Sequence, residues 1–238
     1  MLSQSEQKKL VGTTAIDRLV EKGLIKDGTK IGLGTGSTAM PAVTRLAELI
    51  KAGKLKNIRA VATSFQTMLA CEKLGITVYS LSSAEIGGKL DIAVDGADEI
   101  DTENNLIKGG GAAHLKEKLV EYNAAQLVII ADESKEVSSL GTKFPLPVEV
   151  VTEAWMPVMH ELEKLGAACT IREGVKKCGP VITDNGNMII DCLWQKPVNP
   201  AEMETKINGI VGVVENGFFS KNKPIVFIAR ADGTVLER

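Results

Sequence analysis

Apolar positions along this chain follow two alternating rhythms. Leu10, Thr14, Ile16, Leu19 and Val20 recur at roughly helical spacing and Gly23 closes the run, which predicts a helix over residues 5–23. KIGLG then reads as a short buried strand, and TGSTAMPAVTRLAELIKAG as a loop opening into a helix. IRAVATS, ITVYSL, KLDIAVDGAD and QLVIIAD read as further strands, with FQTMLACEKLG and AAHLKEKLVEYN as helices and ESKEVSSL as a loop or short helix. Continuous apolar strands alternating with helices predict a parallel sheet covered on both faces.

The rhythm changes after the two prolines of FPLPVEVV. VEVVT predicts a strand, WMPVMHELEKLG a helix and ACTIRE a strand. PVITDNGNMIIDC predicts a hairpin, with Asn185-Gly186 suited to a type I′ turn. PAEMETKINGI predicts a helix and VVENGFF a last strand. The order βαββαβ suggests a small ferredoxin-like α+β domain over residues 146–217. Two strands in PIVFIARADGTVLER are expected to rejoin the large domain. The fold class is therefore α/β: a Rossmann-like, mostly parallel sheet over residues 1–145 and 218–238, plus the small domain.

Composition narrows the function. Aromatics are only 4%, so the core must rest on Val, Ile, Leu and Ala. A net charge of -2 argues against a nucleic-acid partner, which needs a basic face. Cys71, Cys169, Cys178 and Cys192 lack zinc-type spacing, and His114 and His160 share no local motif. They read as structural thiols of a reducing compartment. MLSQSEQKKLVG has no apolar signal core and no long apolar run follows, so the expectation is a cytoplasmic protein without a membrane partner.

Three polar motifs each follow a predicted strand: Gly34–Thr38, Asp95–Asp98 and Asp132–Lys135. Carboxyl ends of parallel strands lie along one edge, where ligands bind, so these motifs are expected to line one cleft. In GTGST, glycines let backbone approach a ligand, Thr35, Ser37 and Thr38 add hydroxyls, and the following helix favours an anion. A phosphate ester fits. The P-loop pattern is absent, and GxGxxG fails because Ser37 takes the last glycine's place. In DGADEID, Asp95 and Asp98 are placed to bind a polyhydroxylated ligand and move protons, while Glu99 and Asp101 read as solvated. A calcium loop fails at Ile100 and Leu106, where glycine and glutamate are needed; magnesium stays open. In KGGGAAHLKEKLVEY, Lys108 and the Gly109–Gly111 backbone suit a developing oxyanion. Glu117 and Glu121 share a helix face, and either is a candidate general base. Lys116 and Lys118 equally allow both to be surface charges, and the residues alone leave that choice open.

GTGSTA, DGADEID, KGGGAA followed by KEK, and IADESK, in this order and spacing, resemble type A ribose-5-phosphate isomerases. The resemblance runs end to end, through KFPLPVEV, TDNGN and IVGVVENGFF. It implies interconversion of D-ribose 5-phosphate and D-ribulose 5-phosphate in the non-oxidative pentose phosphate pathway, with no metal and no cofactor. It implies Glu117 as the base, and only the resemblance separates it from Glu121. It implies a phosphate loop of Thr35, Gly36, Ser37 and Thr38 with Lys8, although Lys9 adjoins it. Asp95, Gly96, Ala97 and Asp98 form its aspartate turn, Lys108, Gly109, Gly110 and Gly111 its glycine turn, and Lys135 its later lysine. Asp95 or Asp98 would assist ring opening, and Lys108 would stabilise an enediolate. The sugar phosphate would be the small-molecule partner, and a homodimer or homotetramer the assembly, with VGVVENGFF offering an apolar interface. A non-catalytic sugar-phosphate sensor on this scaffold would need the phosphate loop but neither Glu117 nor Lys108.

Overall fold

A computed structural model describes residues Met1–Arg238. The chain divides into two compact units, one from residues 1–96, 116–135 and 222–238, the other from 97–115 and 136–221. Elements are numbered along the whole chain.

In the first unit, α1 (Gln4–Glu21) starts with a capping box: Ser3 Oγ accepts the Glu6 N–H and Glu6 Oε2 accepts the Ser3 N–H. This satisfies two donors that a helix start otherwise leaves open. β1 (Lys30–Leu33), α2 (Ala39–Lys51), β2 (Arg59–Ala62), α3 (Phe65–Leu74), β3 (Leu90–Asp95), β6 (Ala124–Asp132), β12 (Ile225–Ala229) and β13 (Val235–Glu237) complete it. The sheet order is β13-β12-β6-β3-β1-β2, with only β13 antiparallel. This is the mostly parallel sheet that the pattern predicts, and the tail does supply two strands. The core joins Ile31, Ile92, Val94, Val128, Ile130 and Phe227 of the sheet to Val11, Ile16 and Leu19 of α1 and Val43 and Leu46 of α2. ITVYSL, expected as a strand, contributes a single parallel bridge, Ala60 to Val78. The ladder stops because the chain turns at once, with the Ser83 N–H donating to the Ser80 carbonyl at 3.0 Å.

In the second unit, β7 (Leu146–Val150), α5 (Trp155–Lys164), β8 (Ala167–Ile171), β9 (Met188–Trp194), α6 (Pro200–Asn208) and β10 (Val213–Asn216) follow the expected βαββαβ order. Their antiparallel sheet, β10-β7-β9-β8, has the ferredoxin-like arrangement. The hairpin around Asn185-Gly186 is a correction. β9 pairs with β8, and the arm before the turn makes one bridge, Ile182 to Met188. Gly186 has φ +86° but Asn185 has no positive φ, so the turn is not type I′. Buried Glu149 ties the segment down instead: its Oε1 accepts from Thr183 Oγ1 (2.8 Å), Asn185 Nδ2 (3.1 Å) and Asn187 Nδ2 (2.8 Å).

A small antiparallel sheet in this unit, β11-β5-β4, was not predicted by the periodicity: β4 is Glu99–Ile100, β5 Leu106–Ile107 and β11 Phe218–Phe219. Two-residue strands are too short to show alternation. Phe218 and Phe219 are fully buried, so the aromatic end of VGVVENGFF is not the exposed apolar surface expected of it. No helix is long and apolar enough to cross a membrane.

Candidate active site

The loop after β1 is drawn inward by its own first hydroxyl. Thr35 Oγ1 lies 2.7 Å from both Thr63 Oγ1 and Ser64 Oγ, and Thr67 Oγ1 donates to the Gly34 carbonyl at 2.7 Å. Thr63 and Ser64 follow β2, so two neighbouring strand ends are stitched together by short side chains. Thr35 is therefore occupied inside the protein, which leaves Ser37 and Thr38 at the rim. Ser37 is exposed and accepts from Lys8 Nζ at 3.2 Å, while Lys9 is exposed without that contact. Thr38 heads α2 but makes no capping bond with its side chain. Gly36, at φ +90°, adopts a backbone that favours glycine and donates its N–H to Gln66 Oε1 at 3.0 Å.

Asp95 supports this loop from the end of β3. It is 1% exposed, and its Oδ1 accepts the N–H groups of Thr35 (3.0 Å) and Gly96 (2.7 Å). A Cβ on Gly34 would lie 2.0 Å from that oxygen, so Gly34 permits the approach. Lys135 ends a short 3-10 turn, Glu133–Lys135, after β6, and Gln4 of α1 donates to Asp132 and Ser134 beside it.

The second unit holds the glycine turn. The Lys108 N–H donates to the Gly217 carbonyl at 2.9 Å, and Lys108, 2% exposed, places Nζ 5.5 Å from the Phe219 ring centre. Gly109, at φ +97°, begins a turn closed by the Ala112 N–H on its carbonyl (2.9 Å). The glycines thus stand in a turn of their own, and α4 (His114–Glu121) begins later than the expected AAHLKEKLVEYN. The Gly110 N–H donates to Asp98 Oδ2 at 2.7 Å. Asp98, unlike Asp95, is partly exposed.

Glu99 and Asp101, expected to be solvated, are 3% and 8% exposed. Glu99 accepts the N–H groups of Gly141 (2.8 Å) and Phe144 (2.9 Å). Asp101 Oδ1 accepts those of Glu103 (2.9 Å) and Asn105 (2.8 Å). A carboxylate that satisfies two backbone donors belongs inside, and an alternation of acids does not reveal such partners. Glu117 and Glu121 are 5% and 0% exposed, which rules out the surface-charge alternative for both. Burial does not choose between them. Lys116 lies over the Phe65 ring at 4.6 Å.

Arg172, at the end of β8, carried no signal in sequence. It forks onto Asp191, with Nε to Oδ2 at 2.8 Å, and its Nη1 donates to the carbonyls of Gly109 (2.8 Å) and Gly110 (3.1 Å). No group of three or more His, Cys, Asp or Glu is placed to hold a metal ion.

The ribose 5-phosphate isomerase A (phosphoriboisomerase A) profile matches residues 59–233. A ribose-5-phosphate isomerase A of Treponema denticola is 58% identical over 236 residues, covering 98% of this chain and 99% of the relative. The chain belongs to the ribose-5-phosphate isomerase A family. A ribose-5-phosphate isomerase A of Treponema pallidum is 54% identical and covers all of this chain and 94% of its own length. Among solved structures, a D-ribose-5-phosphate isomerase in complex with phospho-erythronic acid superposes with a TM-score of 0.92 at 41% identity, covering 100% of both chains. The ribose 5-phosphate isomerase A of Methanocaldococcus jannaschii gives 0.89 at 42%, over 99% of this chain and 100% of that one. The likeness to ribose-5-phosphate isomerase A thus spans both units.

Proposed function

We propose a metal-independent enediolate route by which this isomerase interconverts D-ribose 5-phosphate and D-ribulose 5-phosphate. The phosphate is held by Ser37, Thr38, the Gly36 backbone and Lys8, with Lys135 adding charge. The Lys8–Ser37 contact at 3.2 Å favours Lys8 over Lys9. Asp98 binds the sugar hydroxyls and assists ring opening. This role goes to Asp98 rather than Asp95 because an oxygen of Asp95 holds two backbone N–H groups of its own loop, Thr35 and Gly96, while Asp98 is partly exposed. Glu117 removes the proton from C2 of the open aldose, the O2 proton passes to O1, and Glu117 returns its proton to C1. Lys108 and the N–H groups of Gly109 and Gly111 stabilise the charge that develops on oxygen between these steps, while the Gly110 N–H holds Asp98.

The observation that carries the reading is the burial of Glu117 and Lys108, at 5% and 2% exposed, on the two sides of the glycine turn in sequence. Ionisable side chains are costly to bury, and function is a common reason to do so. The test follows ketose formation by EDTA-treated protein in D2O. Turnover with deuterium at C1 of the product is expected, because the proton passes through a carboxylate that exchanges with solvent. Metal-dependent turnover, or a product free of deuterium, overturns the route. No turnover by folded protein favours a sugar-phosphate sensor. A cytoplasmic homodimer or homotetramer is the proposed form, checked by light scattering on the purified protein.

A further inference from the structure

A run of three glycines has no side chains with which to hold itself, and each glycine added to a turn widens the set of backbone states open to it. Beyond the Ala112 N–H that closes it, Gly109–Gly111 therefore needs an external anchor if the Gly109 and Gly111 N–H groups are to point at a reacting oxygen. Arg172 supplies one. Its Nη1 reaches the carbonyls of Gly109 at 2.8 Å and Gly110 at 3.1 Å, and the other side of its guanidinium is gripped by Asp191 through two contacts. Both side chains are mostly buried, at 15% and 16% exposed.

The geometry links this anchor to Asp98 through a single peptide group. The Gly109 carbonyl that accepts from Arg172 and the Gly110 N–H that donates to Asp98 Oδ2 at 2.7 Å belong to the same planar unit. A cation on the oxygen end polarises the nitrogen end as a donor. This peptide is flanked by glycines that pack closely against other side chains. A Cβ on Gly109 would lie 2.6 Å from His114 Nδ1, and one on Gly110 would lie 2.6 Å from Asp98 Oδ1. Gly109 and Gly110 thus sit where a side chain would crowd its neighbours, and the peptide between them is held by charge from Arg172, itself gripped by Asp191 of β9.

We propose that the Asp191–Arg172 pair is a positioning device for catalysis, which fixes the Gly109–Gly110 peptide so that the glycine turn and Asp98 present one rigid face to the substrate. Arg172 does not touch the substrate; it acts through the turn. The inference rests on the enediolate reading, in which the turn stabilises charge in the transition state. Lysine replaces the arginine only in part, because one ammonium does not grip a carboxylate with two donors while bonding two carbonyls.

The experiment is steady-state kinetics on the full chain carrying Arg172→Ala, Arg172→Lys or Asp191→Asn, with Glu117→Gln alongside and thermal melts to confirm folding. In folded Arg172→Ala, kcat is expected to fall about 10- to 100-fold with KM changed less than about threefold, the signature of an interaction made in the transition state. Millimolar guanidinium chloride is expected to restore part of that loss. Arg172→Lys and Asp191→Asn are expected to show smaller losses of the same kind, and they carry the test if Arg172→Ala does not fold. Unchanged kcat in a folded variant, or a rise in KM alone, overturns the positioning role. Glu117→Gln separates the two claims. If it keeps normal kcat, the enediolate assignment fails; if it loses turnover while the Arg172 variants do not, only the positioning device fails.

Discussion

Two backbone cradles in this protein, the hydroxyl loop at Gly34–Thr38 and the glycine turn at Gly109–Gly111, are built on opposite plans. The hydroxyl loop is held by its nearest strand ends: Thr35 by Thr63, Ser64 and the Asp95 carboxylate. The glycine turn is held by side chains that do not stand at parallel strand ends, with Asp98 on one side and Arg172, after antiparallel β8, on the other. A loop at the carboxyl edge of a parallel sheet inherits its position from the sheet. A turn between a two-residue strand, β5, and the start of α4 inherits little from a sheet and is pinned by side chains. The first plan suits ground-state grip on a fixed phosphate. The second suits a surface that must be rigid at the moment charge moves.

The sharpest way to test this division is at the glycine-turn end. Glu117→Gln should lower kcat about 10²–10⁴-fold while sugar phosphate still binds, measured by turnover and by calorimetric titration with a phosphorylated sugar acid. Near-normal kcat would remove the base from this helix. Next comes the packing of the hydroxyl loop. A Cβ on Gly34 would lie 2.0 Å from Asp95 Oδ1 and 2.6 Å from its Cα, so Gly34→Ala should cost about 3 kcal/mol or more in urea unfolding. Gly36→Ala, with φ +90° and no atom within 4 Å of the added Cβ, should cost about 1 kcal/mol. Equal costs would mean that Asp95 does not lock the loop. Lys8→Ala should raise KM about tenfold, or about 1.4 kcal/mol, with kcat little changed. A fall in kcat at constant KM would place transition-state work in the hydroxyl loop and end the contrast.

The smallest effect concerns thiols. Burial pushes the Cys71 thiol up to about 11, so at pH 8 about a thousandth of it is thiolate. In the second unit, Cys169 Sγ lies 3.7 Å from Cys192 Sγ, which lowers the first thiol and raises the second. An aromatic disulfide reagent at pH 8 should therefore label exposed Cys178 first, Cys169 next, and Cys71 and Cys192 only on unfolding. Early labelling of Cys71 would show that the first unit opens more readily than its core suggests.

Sequence legibility follows the same contrast. The strand-end motifs at Gly34–Thr38 and Asp95–Asp98 could be read because period and turn chemistry mark them directly. The glycine turn was visible as composition, but its anchor was not: Arg172 sits in ACTIRE, where an arginine at a strand end looks like any solvated charge. Glu99 and Asp101 read as solvated in sequence for a related reason, since the N–H groups of Gly141 and Phe144 that justify burying Glu99 lie some forty residues onward. Glu117 and Glu121 share a face, a burial class and a charge, and only the family likeness distinguishes them.

The interleaving of the two units has a consequence for synthesis. β12 is an interior strand of the first sheet, between β6 and β13, yet in the chain it follows the second unit's longer segment, residues 136–221. Until β12 is in place β6 offers an unpaired hydrophobic edge, a template for association with other nascent chains. Closure of that edge thus depends on residues 222–238, although none of them is assigned a part in the chemistry.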